Sequence, residues 1–374
     1  MRFSFFKKKE TPFLVLDIGT EAIKALLLEK KDKEIVILNH GLYYLEEYGV
    51  FNGNDFETEF IKRGVVNSLE LITKEKKDLK NLPVLLSLPP DILRAKLISQ
   101  LYKRDSDSKV SKKEEKFIIK QVLDKSKKQV SARFAEKSGI MPDDIHWINF
   151  SIVEVKINGY PVSNLCGCQE RDLEISVLAV FLPKHYFKKI QKIFEDLNLK
   201  ISKIAHLVEV FQNGFSQKIK NGTFIDLGGK FTQGFLIKDN NLKRVSSFET
   251  GGHDFTQRLS EALGIDHDSA RLLKEKYSGN LLTREVNEKV REIFLPEKKI
   301  LQQDLQGMLK KIKSNPPIYI FGGSSLIPEI KESIKYSKII RPKSLKYIED
   351  TTKNLKSPQY IPSLLIARYA KEIL

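Results

Sequence analysis

Short runs of consecutive apolar residues alternate along this chain with stretches in which apolar positions recur every three or four residues. Together they predict strands and helices in alternation. Phe13–Ile18 is the first run, rich in strand formers and ending in Asp17-Ile18-Gly19-Thr20. Ala22–Leu28 and Glu34–Leu38 read as the next two strands, so that strand, glycine turn and returning strand form a hairpin. From Phe56 to Thr73, Phe60, Ile61, Val65, Leu69 and Ile72 fall near one helical face. Leu82–Leu88 is a buried type of strand, stopped by Pro89-Pro90.

The next stretch has a different character. Arg94–Ser99 reads as a strand, Tyr102–Lys113 as polar loop, and Ser111–Lys128 as a helix with a Ser111/Glu114 capping box. Ile145–Ile157 and Leu173–Leu182 read as strands around the turn-rich Asn158-Gly159-Tyr160-Pro161. Strand, helix, strand, strand make a small α+β module set into a larger lobe. Lys184–Leu197 follows as an amphipathic helix and Ile201–Ala205 as a short strand.

Then the opening pattern returns. Thr223–Leu227 ends in Asp226-Leu227-Gly228-Gly229, Phe231–Ile237 runs back, and Leu242–Phe248 follows the Asn240-Asn241 turn. A unit of strand, Asp-x-Gly and two strands thus occurs at 13–38 and again at 223–248, which implies two lobes of like topology. Helices are expected over 252–263, 267–277 and roughly 283–312. Ile318–Phe321 is a last buried strand, followed by Gly322-Gly323, a helix from Pro328 and a closing helix over Pro358–Ile373.

Composition narrows the function classes. At 374 residues the chain exceeds one small core, and its 41% hydrophobic content supports two. No apolar run approaches the roughly 20 residues of a membrane span. The start, Met1 to Lys9, lacks the apolar core of a signal peptide. Two cysteines, Cys166 and Cys168, offer neither a disulfide framework nor half of a paired zinc motif, which suits a reducing cytoplasm. Lys and Arg number 64 against 48 Asp and Glu, a net charge of +16. The surplus is spread along the chain without an aromatic-interleaved RNA motif or finger spacing, so it reads as a solvated basic surface and no nucleic-acid partner is expected.

The candidate chemistry lies in the glycine turns. Glycine lets a backbone approach phosphate closely, and successive amides in such a turn attract anions. The carboxylates of Asp17 and Asp226 repel phosphate, so their expected role is to hold Mg²⁺, through water. A single Asp-Ile-Gly turn occurs in ordinary hairpins, and the constellation is what carries weight. Two duplicated turns would clamp a triphosphate between lobes. Phe321-Gly322-Gly323-Ser324-Ser325 after a buried strand suits packing against adenine and ribose, and Thr250-Gly251-Gly252-His253-Asp254 opens the next helix.

These motifs resemble those of the actin/Hsp70/sugar-kinase superfamily. Leu16–Thr20 is similar to its first phosphate motif, Phe224–Gly229 to the second, and Ile320–Ser324 to the adenosine motif. Within it, Ile157-Asn158-Gly159-Tyr160-Pro161, Cys166-Gly167 and Leu173-Glu174 resemble the FtsA cell-division family, as do Gly251–Thr256 and the Ser269–Lys274 helix. The PilM family of type IV pilus assembly shares this architecture, and Leu86-Ser87-Leu88-Pro89 is similar to it. A sugar kinase ranks last, because neither a substrate-side Asp nor a sugar-binding insertion is apparent.

The resemblance implies an α/β, two-lobed actin-like (ribonuclease H-like) ATPase fold with an inserted strand–helix–strand–strand subdomain, called 1C. Its divisions would be a basic aromatic tail (1–12), lobe 1 or 1A (13–90, 183–206 and 340–374), 1C (91–182), lobe 2 or 2A (207–250 and 314–339) and a helical 2B (251–313). It implies ATP or ADP with Mg²⁺, bound by Gly19, Thr20, Lys24, Gly228, Gly229, Lys230, Gly251, Gly252, Lys274, Gly322, Gly323 and Ser324, with Asp17 and Asp226 on the metal. It also implies a scaffold at the inner face of the cell membrane that self-associates and recruits the C-terminal tail of FtsZ and other division proteins. For PilM the partner would be a pilus inner-membrane protein.

Departures are visible too. The second phosphate turn of the family continues with glycine where this chain has Lys230, whose ammonium would meet a phosphate or point to solvent. Arg271 replaces a glutamate expected near the ribose, which argues for weak or no ATPase activity. No residue stands out as a base, and His253 reads as a capping or surface residue. The family's C-terminal membrane helix has no counterpart after the closing helix, which is expected to pack as core. Membrane contact would fall instead to Phe3, Phe5 and Phe6 with Lys7, Lys8 and Lys9, since aromatics enter the interface while lysines meet anionic headgroups.

Overall fold

The computed structural model describes residues 12–32, 34–45, 56–73, 79, 81–212, 221–314, 316–345 and 347–370. The aromatic and basic residues from Phe3 to Lys9 lie outside them.

Three sheets organise the described residues. In the first, Pro12–Ile18 is the pivot, antiparallel to Ala22–Lys31 and parallel to Pro83–Ser87. Glu34–Tyr44 continues the hairpin on one side and Lys200–Ile204 extends the parallel side. In the second, Gly222–Leu227 is antiparallel to Thr232–Lys238 and parallel to Ile318–Phe321. Asn241–Phe248 and Lys338–Ile339 complete it. Both sheets therefore run third, second and first strand of the hairpin unit, then two parallel strands. The repeat in the sequence is a repeat in topology. The first sheet also gains Ile348–Asp350 at its edge, a three-residue strand too short to leave a pattern in the sequence.

The pivots read as unbroken apolar runs because both faces are covered. Phe13, Leu14, Val15, Leu16 and Ile18 are all fully buried. The helix Thr58–Glu70 buries Ile61, Gly64, Val65, Ser68 and Leu69, the spacing of one helical face.

Arg94–Lys103, Asp172–Pro183, Ile145–Ile157 and Tyr160–Val162, in that order, form a separate antiparallel sheet. The helix Lys112–Ser138 covers it, ten residues longer than the expected end at Lys128. The extension is polar in composition and buries only Val130, Ser131 and Phe134, so its period is faint. Its start is as expected, the Ser111 hydroxyl accepting the Glu114 amide at 3.1 Å. It ends where Gly139 adopts a left-handed conformation at φ +71°.

Two expected helices differ. After Gly322 the chain makes a 3-10 turn, Gly323–Leu326, before the short helix Pro328–Ser333. The closing helix is broken into Pro358–Tyr360, Ile361–Ile366 and Ala367–Tyr369 because Pro358 and Pro362 each open a new first turn. It is packed as core, with Ile361, Leu364, Leu365 and Ile366 fully buried.

One helix, Leu207–Gln212, has no counterpart in the sequence reading and joins the lobes. Phe211 lies with its ring 4.9 Å from Phe224 and 4.8 Å from Phe235 of the second sheet. Leu207, Val208 and Val210 share the same continuous core with Leu14, Leu85 and Leu364 of the first lobe. Glu209 on this helix accepts the side-chain amide of Asn149 at 2.7 Å, and Glu154 pairs with Lys243. The four-stranded module is thereby tied to both the linking helix and the edge of the second sheet.

Candidate functional site

The two Asp-x-Gly turns are built alike. In the first, the Gly19 amide donates to the Ala22 carbonyl at 2.9 Å; in the second, the Gly228 amide donates to the Phe231 carbonyl at 3.0 Å. Each turn leaves its aspartate at the C-terminal end of a pivot strand, with Asp17 opposite Ser87 and Asp226 opposite Phe321. The turns also meet, since the Lys230 amide donates to the Thr20 hydroxyl at 3.0 Å.

Between the lobes lies a cavity of about 360 Å³. Asp17, Gly19, Thr20, Lys24, Asp226, Gly228 and Gly229 line it, and Gly322, Gly323, Ser324 and Lys274 close it from the second lobe. Glu21, Ser87, Pro89, His206, Gln233 and Gln359 are also on its wall. Its size and mixed lining suit a small-molecule site.

Lys24 stands by the acidic pair. Its ammonium lies 3.1 Å from Asp17, whose same oxygen accepts the Ser363 hydroxyl at 3.0 Å. Burial, with Asp17 adding to it, pushes the Asp226 carboxyl up to about 7, against the pull of Lys24. The ammonium sits beside Asp17 as a cation would, and two facing carboxylates are the oxygen donors that Mg²⁺ prefers.

Gly322 is a cradle that only glycine fills. At φ +91°, an added Cβ would come 2.5 Å from the Asp226 carboxylate and close against the Leu227 carbonyl. Ser324 donates its hydroxyl to the Gly228 carbonyl at 2.7 Å, fixing this loop to the second turn. Carboxylates, an ammonium, hydroxyls and closely approaching backbone fit a nucleotide with its cation.

Three candidates, Lys230, Gly251 and Gly252, stand off the cavity wall. The Lys230 ammonium pairs with Glu249 at 3.1 Å, neither on the cavity wall nor free in solvent, and only its backbone serves the turn. Gly251 and Gly252 lie behind the second turn. The Gly252 and His253 amides donate to the Gly228 and Gly229 carbonyls at 3.0 and 2.9 Å, and the Gly251 amide goes to Asp254 at 2.8 Å. Lys274 is buried and donates to the Gly252 carbonyl at 2.8 Å and the Thr256 hydroxyl at 2.5 Å.

The sequence reading missed Glu21. This residue of the first turn lies 3.7 Å from His253 and 4.0 Å from Lys274 of the second lobe. Burial works to raise its carboxyl, yet Lys274, His253 and His267 together hold it down at about 2. His253 is buried, not a surface residue. Arg271 lies 3.8 Å above the Tyr44 ring and pairs with Asp268 and Glu275, so it bridges lobes through stacking. Asp91 was also missed. It is buried, neither oxygen has a hydrogen-bond partner, and burial raises it to about 6. Glu21 and Arg271 were not legible as site residues because the contacts that matter, Glu21 with His253 and Lys274 and Arg271 with Tyr44, join distant parts of the chain.

The family model of cell division protein FtsA matches residues 223–364. Cell division protein FtsA of Streptococcus pneumoniae is 23% identical over 352 residues, 87% of this chain and 73% of that protein. FtsA of Enterococcus hirae is 22% identical over 71% of this chain and 57% of its own length. Among solved structures, a PilM-PilN type IV pilus biogenesis complex superposes with a TM-score of 0.68, at 13% identity over 95% of this chain and 97% of that one. No helix among the described residues is long and apolar enough to cross a membrane. By sequence this chain is similar to cell division protein FtsA, and by fold it is actin-like.

Proposed function

We propose that this chain is an actin-like scaffold of bacterial cell division that binds ATP with Mg²⁺ between its lobes. The observation that carries the reading is the pair of duplicated turns, Asp17–Ala22 and Asp226–Phe231, meeting at one cavity under Gly322. Asp17 and Asp226 would hold the cation through water, and Lys24 would shift from Asp17 toward phosphate. The bound metal would supply charge neutralisation for the phosphates. Gly322, Gly323 and Ser324 would pack against the nucleoside. The altered motif positions Lys230, turned to Glu249, and Arg271, stacked on Tyr44, favour nucleotide as a conformational ligand over rapid hydrolysis.

The FtsA likeness supports a role in recruiting the FtsZ C-terminal tail and other division proteins to the inner face of the membrane, with self-association supplying avidity. A PilM-like role is the second reading, and the structural likeness to the PilM-PilN complex favours it. Two measurements test these readings. Equilibrium binding of a fluorescent ATP analogue with Mg²⁺ should weaken at least tenfold in Asp17→Ala and Asp226→Ala; unchanged affinity would refute the cavity assignment. Pull-down with an FtsZ tail peptide, against the N-terminal peptide of a pilus inner-membrane protein, separates the two roles. Capture of the pilus peptide alone would overturn the division reading.

A further inference from the structure

Glu21, His253 and His267 bring their ligating atoms within 4.8 Å of one another at the seam between the lobes. His267 Nε2 is 3.3 Å from His253 Nδ1, and His253 Nδ1 is 3.7 Å from Glu21 Oε1. Four ligands held about 2.0–2.1 Å from a tetrahedral ion stand about 3.4 Å apart, so these separations are close to the edges of such a polyhedron. Glu21 Oε1 is buried and lacks a hydrogen-bond partner, which costs free energy unless something else satisfies it. The two imidazoles lie nearly parallel, at 26°, with ring nitrogens rather than carbons brought together.

We propose that Glu21, His253 and His267 form a binding site for a divalent transition ion of the zinc class. Two imidazoles and one carboxylate favour zinc over magnesium or calcium, which prefer all-oxygen shells. The charge of Lys274, 4.0 Å from Glu21, opposes a second cation. Its ammonium is held by the Gly252 carbonyl and the Thr256 hydroxyl, so it does not occupy the ligand positions. The site has a mechanical consequence. Glu21 belongs to the first turn, whereas His253 and His267 open consecutive helices of the second lobe, Gly252–Leu263 and His267–Ser278. A bound ion staples the lobes beside the cavity, whose wall includes Glu21 but neither histidine, and does so whether or not nucleotide binds there.

The test uses metal-free, nucleotide-free full chain titrated with zinc against a chromophoric chelator. About one equivalent is expected to bind, with affinity reduced more than about tenfold in His267→Gln and in Glu21→Gln. The double variant Cys166→Ser/Cys168→Ser should keep that binding; its loss there would move the ion to the cysteines and overturn the site. Unchanged affinity in the His267 and Glu21 variants, or no binding in the micromolar range, would overturn it too. Cobalt loading of the unmodified chain reads the geometry without any substitution. Intense visible bands of tetrahedral cobalt support the site, and only the weak bands of an octahedral aquo-type ion would refute it.

Discussion

The Lys230 amide donates to the Thr20 hydroxyl at 3.0 Å, joining the two turns that a duplication placed in different lobes. The bond is partly buried and links residues 210 positions apart, so it reports lobe closure rather than local folding. Thr20→Ala should lower unfolding free energy by about 0.5–1.5 kcal/mol, while Thr20→Ser should recover most of it. Urea denaturation of the three proteins checks this. A Ser variant as weak as the Ala variant would mean that the methyl, not the hydroxyl, matters.

His206 sets an acid limit on stability. Burial alone lowers its pKa from 6.5 to about 4, and its Nδ1 accepts the Val208 amide at 3.0 Å. The unfolded chain therefore binds the proton first. Stability conferred by the neutral ring is fully present above 6.5 and is lost as pH falls from there to about 4. His206→Asn should flatten the stability profile across that window by about one proton. Denaturation midpoints measured from pH 7 to pH 4.5 decide it, and parallel profiles would contradict the assignment.

Gly322→Ala should damage the cavity from its wall. The position combines φ +91° with a Cβ aimed at the Leu227 carbonyl and the Asp226 carboxylate. The backbone conformation alone costs about 1–3 kcal/mol, and the overlap adds to it. Gly307→Ala is the control, a helical glycine whose Cβ meets nothing within 4 Å and whose substitution should stabilise slightly. Equal urea midpoints for the two variants would refute the reading.

Phe211→Ala removes the ring that stands between the lobes. It is fully buried and faces Phe224 and Phe235. A loss of about 3–5 kcal/mol is expected, with the linking segment becoming susceptible to protease before the sheets unfold. Limited proteolysis that begins elsewhere would show that Leu207–Gln212 is not what holds the lobes together.

Sequence alone determined the longer strands and the repeat, for a local reason; the two- and three-residue strands Lys338–Ile339, Ile348–Asp350 and Tyr160–Val162 were not legible. Pivots such as Phe13–Ile18 and Thr223–Leu227 are covered on both faces and so are mainly apolar up to their aspartate, and a sharp turn after each needs glycine at a fixed offset. Helices with a regular buried stripe, such as Thr58–Glu70 and Lys184–Asp196, were legible through the same burial. Lengths failed where the stripe faded, as in the second half of Lys112–Ser138, and where prolines cut the closing helix.

Only the tertiary structure decided what each charged side chain does. Lys230 and Glu21 occupy equivalent places in the duplicated turns, yet one turns back to Glu249 in its own lobe and the other crosses to His253 and Lys274. Nothing local distinguishes them, because the partner lies on a segment brought near by folding. The same holds for Leu207–Gln212. Its apolar residues read as an ordinary short run, and its role as the link between cores exists only because Phe224, Phe235 and Leu364 arrive from three other parts of the chain.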